Sequence, residues 1–386
     1  MIKLKHIGFI VSHYPHLAFG HDGGLGTSVY NLVQSLKTKF EVSVFVYGQE
    51  KYFEIVETNM KIYSLNFKSD SFGFYKTRKK INQFVNKKIQ DDDIQLIEVP
   101  DWTGISAFMS FPVPVVMRFH GSDAYFCHLE NRKQKWKNFL FEKLAVSAAN
   151  AFIAPTGFSA QLSKEIFRIK NKEIRTIHYG LRLNDFNNPE SENFKNFQIL
   201  YIGTLIRKKG VLELPFILQK IILKFPETRL IIIGSDAPDI ETGLPSTWGL
   251  LKKQFGSAIK NVTYLGKIPY HLVQENIKES HVCIFPSYAE TLGMVTIESM
   301  ALKKAVVNTN IGWAKEIIDN GVNGLMAYPD DHESFSDHIM HIFSDDIFRK
   351  KIQSNARLKV ESHFDIEKKT LENIEFYEEI INAKDR

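Results

Sequence analysis

The run Val282-Cys283-Ile284-Phe285 is apolar, of strand length, and stops at Pro286. A loop holding Glu290, Thr291, Leu292 and Gly293 follows, then a helix-like run from about Met294 to Leu302, then a short strand at Ala305-Val306-Val307. Strand, loop, helix and strand in this order make a parallel βαβ unit. The unit restricts the chain to an α/β architecture, because parallel strands need a crossover and bury both faces. Open sheets of this kind bind ligands at the carboxyl ends of their strands, where the loop lies. The helix start supplies unpaired backbone N–H groups and the positive end of a dipole, which suit a phosphate. Glu290 and Glu298 stand eight residues apart, one in the loop and one about a turn into the helix. Carboxylates repel phosphate but accept from hydroxyls, so the pattern fits a ligand with both, a sugar nucleotide. The rival reading is a surface helix with two solvated glutamates.

The same rhythm recurs. Strands are predicted at His6–Val11, Val42–Val46, Ile94–Val99, Val113–Phe119, Ala151–Ala154 and Arg175–His178, and again at Phe197–Ile202, Leu230–Ile233 and Val262–Leu265. Helices are predicted at Val29–Leu36, Phe72–Ile89, Lys135–Ala149, Val211 to about Phe225, Trp248–Phe255 and Ile366–Ile381. Ser159 is placed as the cap of a further helix. Between the two series residues 184–197 are polar and include Pro189, as a linker does. A length of 386 residues also exceeds one ordinary core.

Three further stretches carry chemistry. Gly23, Gly24 and Gly26 lie between the first strand and first helix, where they let backbone approach a ligand closely. No Gly-Lys-Ser/Thr follows, so this is not a P-loop. Arg207, Lys208 and Lys209 follow a strand and precede a helix, a natural diphosphate clamp; the rival is a solvated basic turn. His120 ends a strand, where a lone histidine is more often structural. No Asp-x-Asp metal motif stands in a suitable place, and Asp91-Asp92-Asp93 reads as a turn.

Lys and Arg total 49 against 44 Asp and Glu, an excess of 5. That fits a small anionic ligand or weak attraction to anionic lipid and is too small to argue for nucleic acid. Phe72–Ile89 carries Lys76, Arg78, Lys79, Lys80, Lys87 and Lys88, either a solvated face or a patch for anionic lipid or acceptor. Cys127 and Cys283 read as reduced thiols of a cytosolic protein. The N-terminal apolar run reads as a first strand rather than a leader. No run of about 18 apolar residues exists to span a membrane.

The stretch with Glu290, Gly293 and Glu298, continuing through Ala301, Val306-Val307, Gly312, Glu316 and Gly321-Val322-Asn323-Gly324, resembles the signature of glycosyltransferase family 4. The resemblance extends over nearly the whole chain. It implies the GT-B fold: two Rossmann-like α/β domains facing across a cleft, with residues 1–185 on the acceptor side, 186–365 binding the donor nucleotide, and a terminal helix, 366–386, returning to the first domain. It implies a retaining glycosyltransferase moving a sugar from a UDP- or GDP-sugar to a sugar, glycolipid or other hydroxyl acceptor in glycan or cell-surface polysaccharide biosynthesis. The protein would be cytoplasmic, with peripheral contact at the inner face of the membrane, and would need no metal or other cofactor. By the same resemblance His120, Lys209 and Glu290 are the catalytic positions. Gly24, Arg207, Lys209, Ile268, Glu290, Thr291, Leu292, Gly293, Met294, Val295 and Glu298 are the donor-binding positions. Lys209 matches the family lysine. Thr204 stands where the family has Arg, with Arg207 as its candidate substitute. Trp313 replaces a Gly, and Tyr179-Gly180-Leu181-Arg182 replaces an Asn-Gly-Val-Asp turn. Ile268 is a base contact or a core residue. Two other functions are compatible with these residues: a sugar-nucleotide epimerase or hydrolase of the same fold, and a non-catalytic sugar-nucleotide-binding subunit.

Overall fold

The computed structural model describes residues 2–16, 19, 24–67 and 73–383. Much of the loop Ser12–Asp22, together with Gly23 and Phe72, lies outside the described residues. The chain divides into two compact units, Met1–Arg182 with Asp365–Arg386, and Leu183–Phe364.

The first unit is built on an eight-stranded sheet. Its strands are β1 (His6–Val11), β2 (Glu41–Tyr47), β3 (Phe53–Glu57), β4 (Met60–Leu65), β5 (Leu96–Pro100), β6 (Val115–Arg118), β7 (Ala151–Ala154) and β8 (Ile174–Thr176). The order is β3-β4-β2-β1-β5-β6-β7-β8, and all neighbours are parallel except β3 and β4. The β3–β4 hairpin is absent from the sequence reading, because Val56 and Glu54 point to solvent and weaken the apolar signal. Its tight turn places Asn59 at φ +57°, a left-handed position that Asn tolerates. The helices are α1 (Gly24–Leu36), α2 (Gly73–Asp91), α3 (Asp123–Leu129), α4 (Trp136–Ala148) and α5 (Gly157–Phe167). Helix α2 buries Arg78, Ile81, Val85 and Ile89 at helical spacing. Arg78 therefore leaves the predicted basic face; its guanidinium donates to the carbonyls of Thr103 and Gly104. Helix α5 corrects a second expectation. Thr156, not Ser159, is its cap: the Thr156 hydroxyl accepts from Ser159 N–H, and the Ser159 hydroxyl accepts from Thr156 N–H, a reciprocal capping box.

The second unit carries a six-stranded parallel sheet of β9 (Gln198–Ile202), β10 (Arg229–Ile233), β11 (Val262–Gly266), β12 (Val282–Phe285), β13 (Ala305–Thr309) and β14 (Leu325–Ala327). Its helices are α6 (Leu214–Ile221), α7 (Thr247–Phe255), α8 (Tyr270–Glu279), α9 (Met294–Ala301), α10 (His332–Ser344) and α11 (Asp346–His363). The helix predicted over Val211–Phe225 is only α6, because 207–209 and 211–213 wind as 3₁₀ turns on either side of Gly210. Strands β9, β12 and β13 are almost wholly buried, as parallel strands covered on both faces must be.

The strand order β11-β10-β9-β12-β13-β14 positions the site. The chain lays β10 and β11 to one side of β9, then crosses back and lays β12, β13 and β14 on the other. The topological switch point therefore lies between β9 and β12, where their following loops diverge and leave a crevice. In the first unit the switch lies between β1 and β5.

Helix α12 (Ile366–Ala383) ends the chain and belongs to the first unit. It buries Phe376, Tyr377 and Ile381 against Leu4, Val29 and Ile177. Its Asn373 and Tyr377 also reach a buried ion pair. Arg118 Nε donates to Glu98 Oε1 at 2.7 Å and Arg118 Nη2 to Glu98 Oε2 at 2.8 Å. Arg118 Nη2 also reaches Asn373 Oδ1 at 2.6 Å and the Tyr377 hydroxyl at 3.0 Å, and that hydroxyl donates to Glu98. The Glu98 charge holds the guanidinium ionised against the desolvation that burial imposes.

Candidate active site

Two loops meet at the switch point of the second unit, one after β9 and one after β12. The Tyr288 and Ala289 N–H groups donate to the Lys208 carbonyl at 2.8 and 3.2 Å. The Tyr201 hydroxyl donates to the Lys209 carbonyl at 3.2 Å. Gly210 then lies directly on the Pro286 carbonyl, at φ +66°, in space that no side chain could share. This close approach brings the Lys209 ammonium into contact with the Glu290 carboxylate. The two charges are 81 residues apart in sequence.

Behind them Gly293 caps α9, whose first N–H groups belong to Met294 and Val295. Lys209, Glu290, Gly293, Val295, Asn308 and Trp313 line one small cavity. Trp313 is fully buried in its wall, where the family's glycine would leave space. Leu292 is also fully buried, so its side chain packs the loop onto the core and only its backbone is left for a ligand. Thr291 is buried beside it, while Met294 and Val295 are half-buried.

Glu298 sits on α9 with its carboxyl almost fully buried, and burial pushes its pKa up to about 7. The Tyr270 hydroxyl, from the first turn of α8, hydrogen-bonds to it and favours the ionised form. Ile268 lies two residues before Tyr270, half-buried in the loop after β11. Tyr270 is absent from the sequence reading. Nothing in its local pattern marks it, because α8 and α9 meet only in the folded domain.

Arg207 is placed differently. Its guanidinium donates bidentately to buried Asp239, at 2.6 and 2.9 Å, and also meets Glu241 at 2.7 Å. The hydrogen bonds from Arg207 and Thr242 hold the Asp239 carboxyl well below the usual carboxylate range. Arg207 is thus tied to the loop after β10, and the structure does not bring it into the Lys209–Glu290 contact.

His120 and Gly24 lie in the first unit. Asp101, just after β5, accepts from the His120 N–H at 2.9 Å and the Gly121 N–H at 3.2 Å, which fixes the turn after β6. Its own carboxyl is buried and pushed up to about 7 by desolvation. The His120 ring stacks on Tyr179, with Nδ1 at 2.7 Å from the Tyr179 hydroxyl. Burial, aided by the neighbouring Arg118 charge, lowers the imidazole pKa to about 3, so His120 is neutral at physiological pH. A neutral ring has one donor and one acceptor nitrogen; with Nδ1 engaged by Tyr179, Nε2 is left to meet a ligand. Gly24 opens α1 behind β1. Among the described residues no group of three or more His, Cys, Asp or Glu side chains could hold a metal ion, and no helix is long and apolar enough to cross a membrane.

Comparison with known proteins places this geometry. Residues 22–185 match glycosyltransferase family 4, and residues 184–359 match the glycosyl transferases group 1 family. An uncharacterized glycosyltransferase of Methanocaldococcus jannaschii is 24% identical over 379 residues, covering 95% of this chain and 97% of the relative. The capsular polysaccharide biosynthesis glycosyltransferase CapM of Staphylococcus aureus is 26% identical over 58% of this chain and 60% of its own length. Among solved structures, sucrose-phosphate synthase from Thermosynechococcus elongatus superposes with a TM-score of 0.81 at 20% identity, covering 98% of this chain and 100% of that one. HepE of Anabaena, solved in complex with UDP-glucose, superposes with a TM-score of 0.69 at 18% identity, covering 96% of this chain and 99% of that one. The fold is GT-B, and the two family matches, one over each Rossmann-like unit, make the chain a glycosyltransferase with a family 4 domain followed by a group 1 domain.

Proposed function

We propose that this protein transfers a sugar, with retention of configuration, from a UDP- or GDP-sugar to a hydroxyl of a sugar, glycolipid or other acceptor during glycan or cell-surface polysaccharide assembly. It would act in the cytoplasm, at the inner face of the membrane. The observation that carries the reading is the contact between Lys209 and Glu290 at the head of α9, over the topological switch point. A cation there, with the α9 N–H groups, suits a diphosphate, and the adjacent carboxylate suits sugar hydroxyls. That HepE binds UDP-glucose in the same fold supports a nucleotide-sugar donor.

In this reading Lys209 turns from Glu290 to the diphosphate, and the N–H groups of Met294 and Val295 share its charge. Glu298 accepts from the ribose hydroxyls, with the Tyr270 hydroxyl displaced or shared. Glu290 holds the sugar, Ile268 flanks the base, and neutral His120 donates from Nε2 to the transferred sugar. The bond from the anomeric carbon to the diphosphate oxygen breaks, and the acceptor oxygen bonds that carbon from the same face. The acceptor proton passes to the departing phosphate oxygen. Protein cations and dipoles stabilise the leaving group, the role a metal plays in other transferases. Arg207 contributes through the loop it anchors to Asp239, or by exchanging that carboxylate for phosphate.

The test is a thermal-shift screen of the protein, without metal, against UDP-, GDP-, ADP- and CDP-sugars. A donor at about a hundred times its Kd stabilises the folded state by about 2.7 kcal/mol. For a domain of this size that raises the midpoint by about 5–10 °C. A shift with one nucleotide, lost in Lys209→Ala, is the expected result. No shift with any of them would overturn the assignment of the donor site.

A further inference from the structure

The first unit exposes large side chains that a folded core would normally cover. Phe74 and Tyr75, at the start of α2, are 61% and 57% exposed; Phe108 is 52% exposed and Trp136, at the start of α4, 69%. Trp102 and Leu140 are also exposed. Phe74, Tyr75 and Phe108 join through Phe141, and Trp136 and Leu140 stand on the same helix as Phe141. Phe74 stacks on Phe141 of α4, Phe108 meets both Phe141 and Tyr75 edge-on, and the Arg78 guanidinium lies over Phe74 and Phe141. Gly104 packs against the α4 backbone at Phe141, so the Trp102 turn belongs to the same surface. Contiguous exposed aromatic surface of this kind marks an interaction site.

The charge around the patch is of one sign. On the first two turns of α2 Lys76, Lys79 and Lys80 are exposed, and residues 73–90 include no acidic residue. Between 132 and 143 stand Arg132, Lys133, Lys135, Lys137 and Lys143, against Glu142 alone. Glu142 is buried, its carboxylate accepting from the Asp123 and Ala124 N–H groups. Just before this run in sequence, half-buried Asp123 and exposed Glu130 are both paired with Arg132. Lys137 lies over the Trp136 ring. Tryptophan and tyrosine among lysines suit the boundary between water and lipid headgroups, where the ring sits in the interface and the ammonium meets phosphate.

Topology sets where this patch stands. Helix α2 leads into β5 and α4 into β7, so the starts of both helices lie at the carboxyl end of the sheet. Asp101 and His120 follow β5 and β6 at that same end. We propose that Phe74, Tyr75, Trp102, Phe108, Trp136 and Leu140, with the surrounding lysines, dock the first unit on an anionic bilayer surface. Docking presents the hydroxyl of a lipid-anchored acceptor at the His120 end of the sheet. This deepens the membrane-face part of the proposed function and is independent of the donor site.

The experiment is co-sedimentation of the full chain with vesicles of phosphatidylcholine alone and of phosphatidylcholine with phosphatidylglycerol. Binding to the anionic vesicles is expected to exceed binding to neutral ones by tenfold or more, and to fall in high salt. Trp136→Ser with Leu140→Ser should lower it about tenfold, and so should Lys133→Glu with Lys135→Glu and Lys137→Glu. An unchanged melting midpoint and an unchanged donor-induced shift in both variants show that the fold and nucleotide site survive. Absence of anionic-vesicle binding, equal binding to neutral vesicles, or binding untouched by either variant would overturn the proposal. So would a dimer by light scattering that the Trp136/Leu140 variant disperses while vesicles fail to sediment the protein, since the face would then join two copies. A failed donor screen with vesicle binding intact would sink the nucleotide reading alone.

Discussion

Gly210 decides whether the two loops of the candidate site can meet, and Gly210→Ala tests that directly. A Cβ at this position would lie 2.5 Å from the Pro286 carbonyl carbon, and nearer still to its oxygen. Non-bonded carbons settle at about 3.5 Å or more, and the oxygen is closer still, so the loops must part by at least about 1 Å. Both sides are backbone, and no rotamer change relieves the collision. At φ +66° the substitution also costs about 1–2 kcal/mol for a left-handed non-glycine residue. Parting the loops strains the two N–H bonds to the Lys208 carbonyl, each worth about 1 kcal/mol. The total is about 3–4 kcal/mol, or a fall of about 6–16 °C in the melting of the second unit. A displacement of about 1 Å at Lys209 should also lower turnover on the order of a hundredfold. Gly243→Ala is the matched control. Its φ is +71°, but a Cβ there meets nothing within 4 Å, so only the left-handed term of about 1–2 kcal/mol applies and turnover should persist. Calorimetry and donor binding of the two variants side by side are the assay. If Gly210→Ala melts like Gly243→Ala and binds donor like the unmodified protein, the close approach does not position Lys209.

Other expectations follow from the buried charges. Arg118→Met leaves the Glu98 carboxylate buried with the Tyr377 hydroxyl as its remaining partner, which should cost about 3–5 kcal/mol. Calorimetry should show the first unit melting about 6–20 °C lower, and a loss under 2 °C would refute the pair's role. Glu298 has the opposite sign to an ion-paired carboxylate. Its folded pKa is raised to about 7, so folding favours the protonated form and its contribution to stability falls as pH rises from the ordinary carboxylate range toward 7. Donor affinity should run the other way, rising from pH 6 to 8 as the carboxylate that accepts from ribose forms, and Glu298→Gln should flatten that profile. A wild-type profile flat across this range would remove Glu298 from the ribose role.

Much of the architecture was legible in the residues. Parallel strands covered on both faces are nearly continuous apolar runs, so β1, β7, β9 and β12 show in local composition. The E-x7-E spacing places Glu290 before α9 and Glu298 upon it because α9 begins between them. The signal failed where an element is half-solvated, as in β3, or where several residues compete for one cap, as Thr156 and Ser159 do before α5.

Partnership was a different matter. A sequence shows that Arg207 is basic and follows a strand; it does not show that Asp239, on the loop of the neighbouring strand, occupies both arms of its guanidinium. Arg118 and Tyr377 are 259 residues apart, and only the return of α12 to the first sheet joins them. Tyr270 meets Glu298 because α8 and α9 flank one sheet. Local sequence therefore determined which segments are strands, helices and glycine turns, since those depend on periodicity and φ over a few residues. Which charges neutralise one another, which carboxyl is desolvated and which aromatic rings are left to solvent depend on strand order. Only the tertiary structure decided those, because Coulomb and desolvation energies follow distance in space and not distance along the chain.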